Sequence, residues 1–176
     1  MNSPNNQADA VEPALPGAMR RPLQGETALH EAQRSENDRG VPSVSWPLAL
    51  AFICLIVYAS LYPFTDWRNQ GISPLVYLTA PLPKYWTGFD VAANVVGYAP
   101  LGFLLTLASL RSGLIKWAML LAVLGAFVLS LALETLQSYL PSRIPSNVDL
   151  ALNTLGAAVG AYIAWALEKQ IGRAHV

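Results

Sequence analysis

The chain has 176 residues, of which 53% are hydrophobic and 12% are charged, and its formal net charge at pH 7 is zero. Soluble proteins carry about 25% charged residues, so this shortage of charge predicts a membrane protein. The zero net charge and the lack of a basic block exclude a nucleic-acid partner, since phosphates are neutralised by clustered Lys and Arg.

The first 45 residues form a polar segment that we expect to be disordered. They hold ten of the 22 formally charged residues and have too little apolar surface to offset the entropy of ordering. They also make the first apolar run a poor secretory signal, because a short basic region would be expected there. We therefore predict a disordered tail at 1–45, a transmembrane domain at 46–168 and a short C-terminal tail at 169–176.

Four apolar segments follow the tail, and each is long enough to cross a hydrocarbon layer of roughly 30 Å, which takes about 18 to 20 residues. In lipid each must be helical, because a helix satisfies its own backbone N–H and C=O groups. The predicted fold is an all-α membrane protein with four transmembrane helices. The segments are Trp46 to Phe64, Val91 to Leu110, Trp117 to Leu140 and Leu150 to Leu167.

The Lys and Arg residues predict the orientation, because cytoplasmic segments carry an excess of them. Eight lie in the tail, the second loop and the C-terminus, whereas three lie in the first and third loops. We therefore predict that both termini are cytoplasmic and that residues 65–89 and 141–147 face outward. Aromatic rings that settle at head-group level predict that the first loop lies on the outer surface. These rings belong to Trp67, Tyr77, Tyr85 and Trp86.

The polar residues of the membrane body gather near its predicted outer end. Spacings of three and four place those of each helix on one helical face. At 1.5 Å per residue, Tyr98, Glu134 and Asn153 lie on the order of 10 Å below the outer rim. We predict a polar pocket there. Its candidate ligand-binding residues are Asp90, Asn94, Tyr98, Glu134, Gln137, Arg143, Asp149 and Asn153.

Glu134 is the strongest functional candidate among these residues. An ionised acid near mid-membrane costs about 2.5 to 3.5 kcal/mol, and such residues normally face a protein interior or a wet cavity with a partner. Three acids near a low-dielectric layer need compensation. We therefore expect Arg143 to lie within ion-pair reach of Glu134, Asp149 or Asp90.

Small residues and a proline predict how the helices pack. Gly156 and Gly160 form a small-xxx-small pattern, which lets another helix approach closely. Pro100 removes a hydrogen bond from the second helix and predicts a kink there. That kink could open a pocket beside Asn94 and Tyr98.

Each of these patterns also has a structural interpretation. Thr87 to Asp90 and Ser146 to Asp149 both fit a capping box, in which an aspartate only satisfies free backbone donors at a helix start. Arg143 would serve equally as an interfacial anchor. Gln137 or Asn153 would serve as hydrogen-bonding glue between helices.

Four fragments, at this order and spacing, span about residues 46–167. They are Ser60-Leu61-Tyr62-Pro63-Phe64; Asp90-Val91-Ala92-Ala93-Asn94 with Gly97-Tyr98-Ala99-Pro100-Leu101-Gly102; Glu134-Thr135-Leu136-Gln137; and Arg143 through Asp149 to Asn153-Thr154-Leu155-Gly156 with Gly160. Together they resemble the VanZ-like family of small bacterial membrane proteins, named for a factor associated with resistance to the glycopeptide teicoplanin. The resemblance implies a multi-pass protein of the bacterial inner or plasma membrane.

The functional hypothesis from these observations is a non-catalytic protein of the cell envelope. It would bind an amphiphilic ligand, a lipid or a glycopeptide, at the outer leaflet. Three acids and one Arg leave an excess of two negative charges, which favours a cationic head group or a divalent metal. We predict no resident cofactor or dedicated metal site, and the single cysteine excludes a Cys-based one.

Two other functions stay open at this point. The first is a membrane-embedded enzyme acting on a lipid-linked envelope substrate, with Glu134 or Asp149 as general base and Arg143 as a clamp for an oxyanion or phosphate. Because His30 and His175 lie in the terminal tails, a histidine-dependent hydrolase is excluded. The second is a structural or assembly protein whose polar network only holds the four helices together.

Overall fold

The computed structural model describes residues 43–82 and 87–174, with side chains up to residue 171. Most of the predicted disordered tail, and the loop residues Tyr85 and Trp86, lie outside the described residues. Across the described ranges the chain is helical and has no strand. Its four α-helices are α1 (Ser45–Leu61), α2 (Gly88–Arg111), α3 (Ala118–Gln137) and α4 (Asn147–Ala174), and a short 3-10 helix (Val76–Thr79) lies between α1 and α2.

Local chemistry sets where the helices end. α1 ends at Leu61, three residues before the predicted boundary, because proline at 63 forces Tyr62 into an extended conformation. α2 ends in a Schellman motif at Gly113, whose φ is 81°. The amide of Gly113 donates to Leu110 O at 3.1 Å, and the amide of Leu114 donates to Ser109 O at 3.0 Å.

Three of the helices, α2, α3 and α4, are long and apolar enough to cross a membrane, whereas α1 is apolar but has only 17 residues. α1 nevertheless runs alongside the bundle from one end to the other. At its start, Trp46 Nε1 donates to Ser112 Oγ just after α2 at 2.9 Å. At its end, the hydroxyl of Ser60 accepts from Gln137 Nε2 of α3 at 2.8 Å.

The tightest packing joins α2 to α4 along a seam of small residues. A Cβ atom added at Gly156 would collide with the backbone of Val95, and one added at Gly160 would collide with the backbone of Ala99. Gly102 lies equally close to α4. The predicted close approach at the small-xxx-small pattern is therefore confirmed. α2 continues as one helix through Pro100.

The loop after α1 is fastened to the end of α3. The backbone amide of Arg68 donates to Tyr139 O at 3.0 Å, and Gln70 Nε2 donates to Ser138 O at 2.8 Å. Tyr77 is only 3% exposed, and its hydroxyl donates to Leu131 O at 3.3 Å. The prediction that the Tyr77 ring settles at the membrane surface is therefore wrong, because its hydroxyl has acceptors within the bundle.

Candidate functional site

A cavity of about 590 Å³ lies where α1 and α3 end and where α2 and α4 begin. Its volume is in the range of about 300 to 1,000 Å³ that is typical of small-molecule sites. All four helices and the α3–α4 loop contribute to its walls. Seven of the eight candidate residues line it: Asn94, Tyr98, Glu134, Gln137, Arg143, Asp149 and Asn153.

Asp90, the eighth candidate, lies outside this cavity lining. It is exposed, and its carboxylate completes a capping box at the start of α2. Oδ2 accepts from the backbone amide of Thr87 at 2.8 Å, while the amide of Asp90 donates to the hydroxyl of Thr87 at 3.2 Å. Asp90 thus caps the start of α2 with Oδ2, and its role in the pocket stays a prediction.

The second capping motif, at the start of α4, involves two acids, Asp149 of α4 and Glu134 of α3. The hydroxyl of Ser146 accepts from the amide of Asp149 at 3.4 Å, as a capping box requires. The carboxylate that accepts from the amide of Ser146, at 2.8 Å, belongs to Glu134 of α3. Asp149 instead accepts from Asn94 Nδ2 of α2 at 3.1 Å. Glu134 thus ties the end of α3 to the start of α4, and Asp149 is released toward the cavity.

Arg143 does not form the predicted ion pair. Among the described residues it makes no salt bridge with Glu134, Asp149 or Asp90. Its Nη2 donates to Ala59 O and to Tyr62 O, both at 3.1 Å. The last carbonyls of a helix have no partner within it and carry a partial negative charge, so the end of α1 attracts the guanidinium. The ion-pair prediction was wrong because it ignored these carbonyls.

Two amide side chains connect the helices around the cavity. Gln137 Nε2 donates to Ser60 Oγ across the α3–α1 contact, at 2.8 Å. Asn153 is 4% exposed, and its Nδ2 donates to Ser130 Oγ of α3 at 2.9 Å. Oδ1 of Asn153 is buried and has no hydrogen-bond partner within the described part of the chain. Such a buried acceptor costs free energy until a donor reaches it.

Several residues of the site were missed by the sequence analysis. Gly97, Ser60 and Ser142 line the cavity, and Ser130 supports Asn153 from behind. A signal for Ser130 was present, since it lies four residues before Glu134 on the same helical face. The only sequence signal for Gly97 and Ser60 was that they belong to the fragments that carry the family resemblance. Ser142 gave no signal.

The cavity carries a small excess of negative charge. When both acids are counted as ionised, Glu134 and Asp149 against Arg143 give its lining a formal charge of minus one. Glu134 Oε1 and Asp149 Oδ2 make no hydrogen bond with the described residues, so both can accept from a ligand. Among the same residues no group of three or more His, Cys, Asp and Glu side chains could hold a metal ion.

The comparisons with known proteins agree with the fragment pattern. A family model described as VanZ/LLP1 matches residues 33–168. No curated protein and no solved structure matches the chain.

Proposed function

Because this chain belongs to the VanZ/LLP1 family, we propose that it is a multi-pass protein of the bacterial cell membrane that binds the polar head of an amphiphilic ligand. The ligand, a lipid or a glycopeptide, would enter the cavity from the outer leaflet. This direction follows from the distribution of Lys and Arg, which favours cytoplasmic termini and an outward-facing cavity end.

One observation carries the proposal. Seven polar residues from three helices and a loop converge on a cavity whose size suits a small head group. Polar residues inside a membrane body are expensive, and they normally line a pathway or a site. An aromatic group at the same end, Tyr58, Tyr62 and Phe64, has ring centroids 5.5 and 5.9 Å apart. Rings of this kind favour the membrane interface, where a lipid head group would lie.

A cavity-filling substitution tests the proposal. Gly97 lines the cavity, and no heavy atom lies within 4 Å of a Cβ added there. We expect Gly97→Leu to fill the site without a backbone clash, and leucine is the better helix former. Bound lipid, counted per chain by native mass spectrometry, should fall roughly tenfold while the melting temperature is kept.

The matched control is Gly156→Leu, which should collide with the backbone of Val95 and lower the folded amount itself. Susceptibility of a deletion strain to teicoplanin-type drugs, complemented by each variant, extends the test to the cell. Unchanged lipid loading and full complementation by Gly97→Leu would refute ligand binding in the cavity.

A second candidate function is a structural or assembly role. It is favoured by the carboxylate of Glu134, which caps the start of α4. The bond from the amide of Ser146 to Glu134 gives this acid a purely architectural use. In that case Gly97→Leu would behave like the wild type in every assay, whereas a substitution that removes the Glu134 carboxylate from Ser146 would lower protein levels.

A further inference from the structure

We propose that the cavity is selective for a phosphoethanolamine head group, with its primary ammonium on the acid side and its phosphate on Arg143. This inference rests on the proposed function and names the ligand class of the same site. It combines two sets of unsatisfied groups, one of acceptors and one of donors, within one cavity lining.

The acceptors match a primary ammonium group. Such a group carries three N–H donors, as the lysine side chain does. Three residues of the cavity lining each carry an oxygen that has no partner among the described residues: Asp149 Oδ2, Glu134 Oε1 and Asn153 Oδ1. Asn153 is 4% exposed and its buried Oδ1 has no donor among these residues, so a donor that reached this oxygen would relieve a free-energy cost.

The donors match a phosphate. Arg143 uses only Nη2, for the carbonyls of Ala59 and Tyr62. A guanidinium has five N–H groups, so about three remain on Nη1 and Nε. Its planar fork pairs well with phosphate oxygens, and the two carbonyls hold it in place.

Other head groups fit these contacts less well. A quaternary ammonium has no N–H donor and is normally bound in a cage of aromatic rings, whereas Tyr98 is the only aromatic one of the described residues that line the cavity. An anionic head group without an amine would face Glu134 and Asp149 with like charge. A cation without a phosphate would make no contact with the free N–H groups of Arg143.

The test is a lipid competition on the purified full-length chain. The protein is placed in nanodiscs that hold equal amounts of phosphatidylethanolamine, phosphatidylcholine and phosphatidylglycerol with identical acyl chains, and retained lipids are counted by native mass spectrometry. We expect phosphatidylethanolamine to exceed phosphatidylcholine by roughly tenfold, the effect of about one charge-assisted hydrogen bond. Equal retention of these two lipids by the wild type would overturn the proposal.

Two substitutions separate the ammonium from the phosphate contact. Asp149→Asn keeps an oxygen for the Asn94 amide but removes one of the two charges that face the ammonium, so the ratio of phosphatidylethanolamine to phosphatidylcholine should fall clearly below that of the wild type. Arg143→Gln should lower both lipids together, because both carry the phosphate. Glu168→Gln, at the opposite end of the bundle beside Arg111, is the charge-matched control and should keep the wild-type ratio. An unchanged ratio in Asp149→Asn would also overturn the proposal.

Soluble competitors decide the source of the head group. Free phosphoethanolamine that displaces phosphatidylethanolamine better than free phosphocholine supports recognition of the head group alone. If neither soluble compound displaces the lipid, and the ratio of phosphatidylethanolamine to phosphatidylcholine is still high, the site recognises the intact lipid. Equal displacement by both contradicts the ammonium contact.

The two proposals also fail differently. If the wild type retains all three lipids equally and Gly97→Leu abolishes this retention, head-group selectivity is rejected but the amphiphile site is kept. If Gly97→Leu retains as much lipid as the wild type, both the amphiphile site and its head-group selectivity are rejected.

Discussion

At the scale of single residues, Glu134 and Asp90 show how similar carboxylates acquire different tasks. Asp90 closes a capping box within its own helix, so its charge is used locally at an exposed helix start. Glu134 is 4% exposed and accepts from the amide of Ser146 with Oε2, which leaves Oε1 for the cavity. A buried carboxylate that caps a helix with one oxygen and faces a cavity with the other can serve structure and binding at once.

Substitutions at Glu134 should separate these two tasks. Gln keeps an oxygen for the amide of Ser146 and removes the buried charge, so Glu134→Gln should keep protein levels and melting behaviour while abolishing activity in the complementation assay. Leu removes the cap as well, so Glu134→Leu should also lose roughly 0.5–2 kcal/mol of stability. Membrane-fraction blots, thermal melts and complementation of a deletion strain measure the three quantities. Full complementation by Glu134→Gln would leave only the architectural task.

At the scale of helices, the α2–α4 seam fixes the geometry of the cavity. Asn94 and Tyr98 lie on α2, and Asp149 and Asn153 lie on α4, so the separation of these helices sets the spacing across the site. The glycines of the seam allow backbones to touch where any Cβ would collide. The site therefore depends on small residues that do not line it.

Alanine substitutions should measure the tightness of this seam. At Gly160 the added Cβ would collide with the backbone of Ala99, so Gly160→Ala should cost about 1–3 kcal/mol through overpacking. At Gly125 of α3 the nearest atom is a side-chain carbon of Leu105 at 3.7 Å, so Gly125→Ala should be neutral or stabilising by up to about 1 kcal/mol. Thermal unfolding in detergent compares the two. Equal melting temperatures would mean that the helices separate without cost.

The helices and the polar cluster could be predicted from the sequence, while individual contacts could not. Periodicity and length gave four helices, and spacings of three and four placed seven candidates on one cavity. The partner of Arg143 was missed because the carbonyls of Ala59 and Tyr62 lie more than 80 residues away in sequence. Spacing along a helix contains no information about such distant backbone groups. The same limit hid the burial of Tyr77 against α3.

At the scale of the whole molecule, the two ends of the bundle differ in chemistry. One end holds the cavity, Tyr58 of α1 and Tyr62 just after it. The other holds the Arg111 and Glu168 pair, at 3.8 Å, and Lys169 lying 4.8 Å from the centre of the Trp165 ring. Aromatic and basic residues of this kind favour the membrane–water interface, with the basic side toward the cytoplasm. α1 reaches both ends through Trp46 and Ser60, which supports a fourth crossing.

Reporter fusions should reveal this topology. We expect residues 75 and 144 outside and residues 30, 113 and 172 inside, because eight of the eleven Lys and Arg residues fall on the second side. The location of residue 30 decides whether α1 crosses the membrane. If α1 did not cross, residue 30 would lie on the same side as residue 75. The fully reversed pattern would put the cavity in the cytoplasm and exclude ligand entry from the outer leaflet.

The cap that joins Glu134 to Ser146 has a consequence for biogenesis. During translation α3 enters the translocon while Ser146, twelve residues later, is still inside the ribosome. Until then its acid has no such partner, at a cost of about 2.5 to 3.5 kcal/mol on insertion scales. We expect chains truncated after residue 140 to integrate α3 inefficiently, and the full-length chain, which contains α4, to integrate the two helices as a hairpin. Glycosylation mapping of the two lengths should show this difference, and Glu134→Leu should remove it. Equal integration of α3 at both lengths would mean that it enters the bilayer without waiting for its partner.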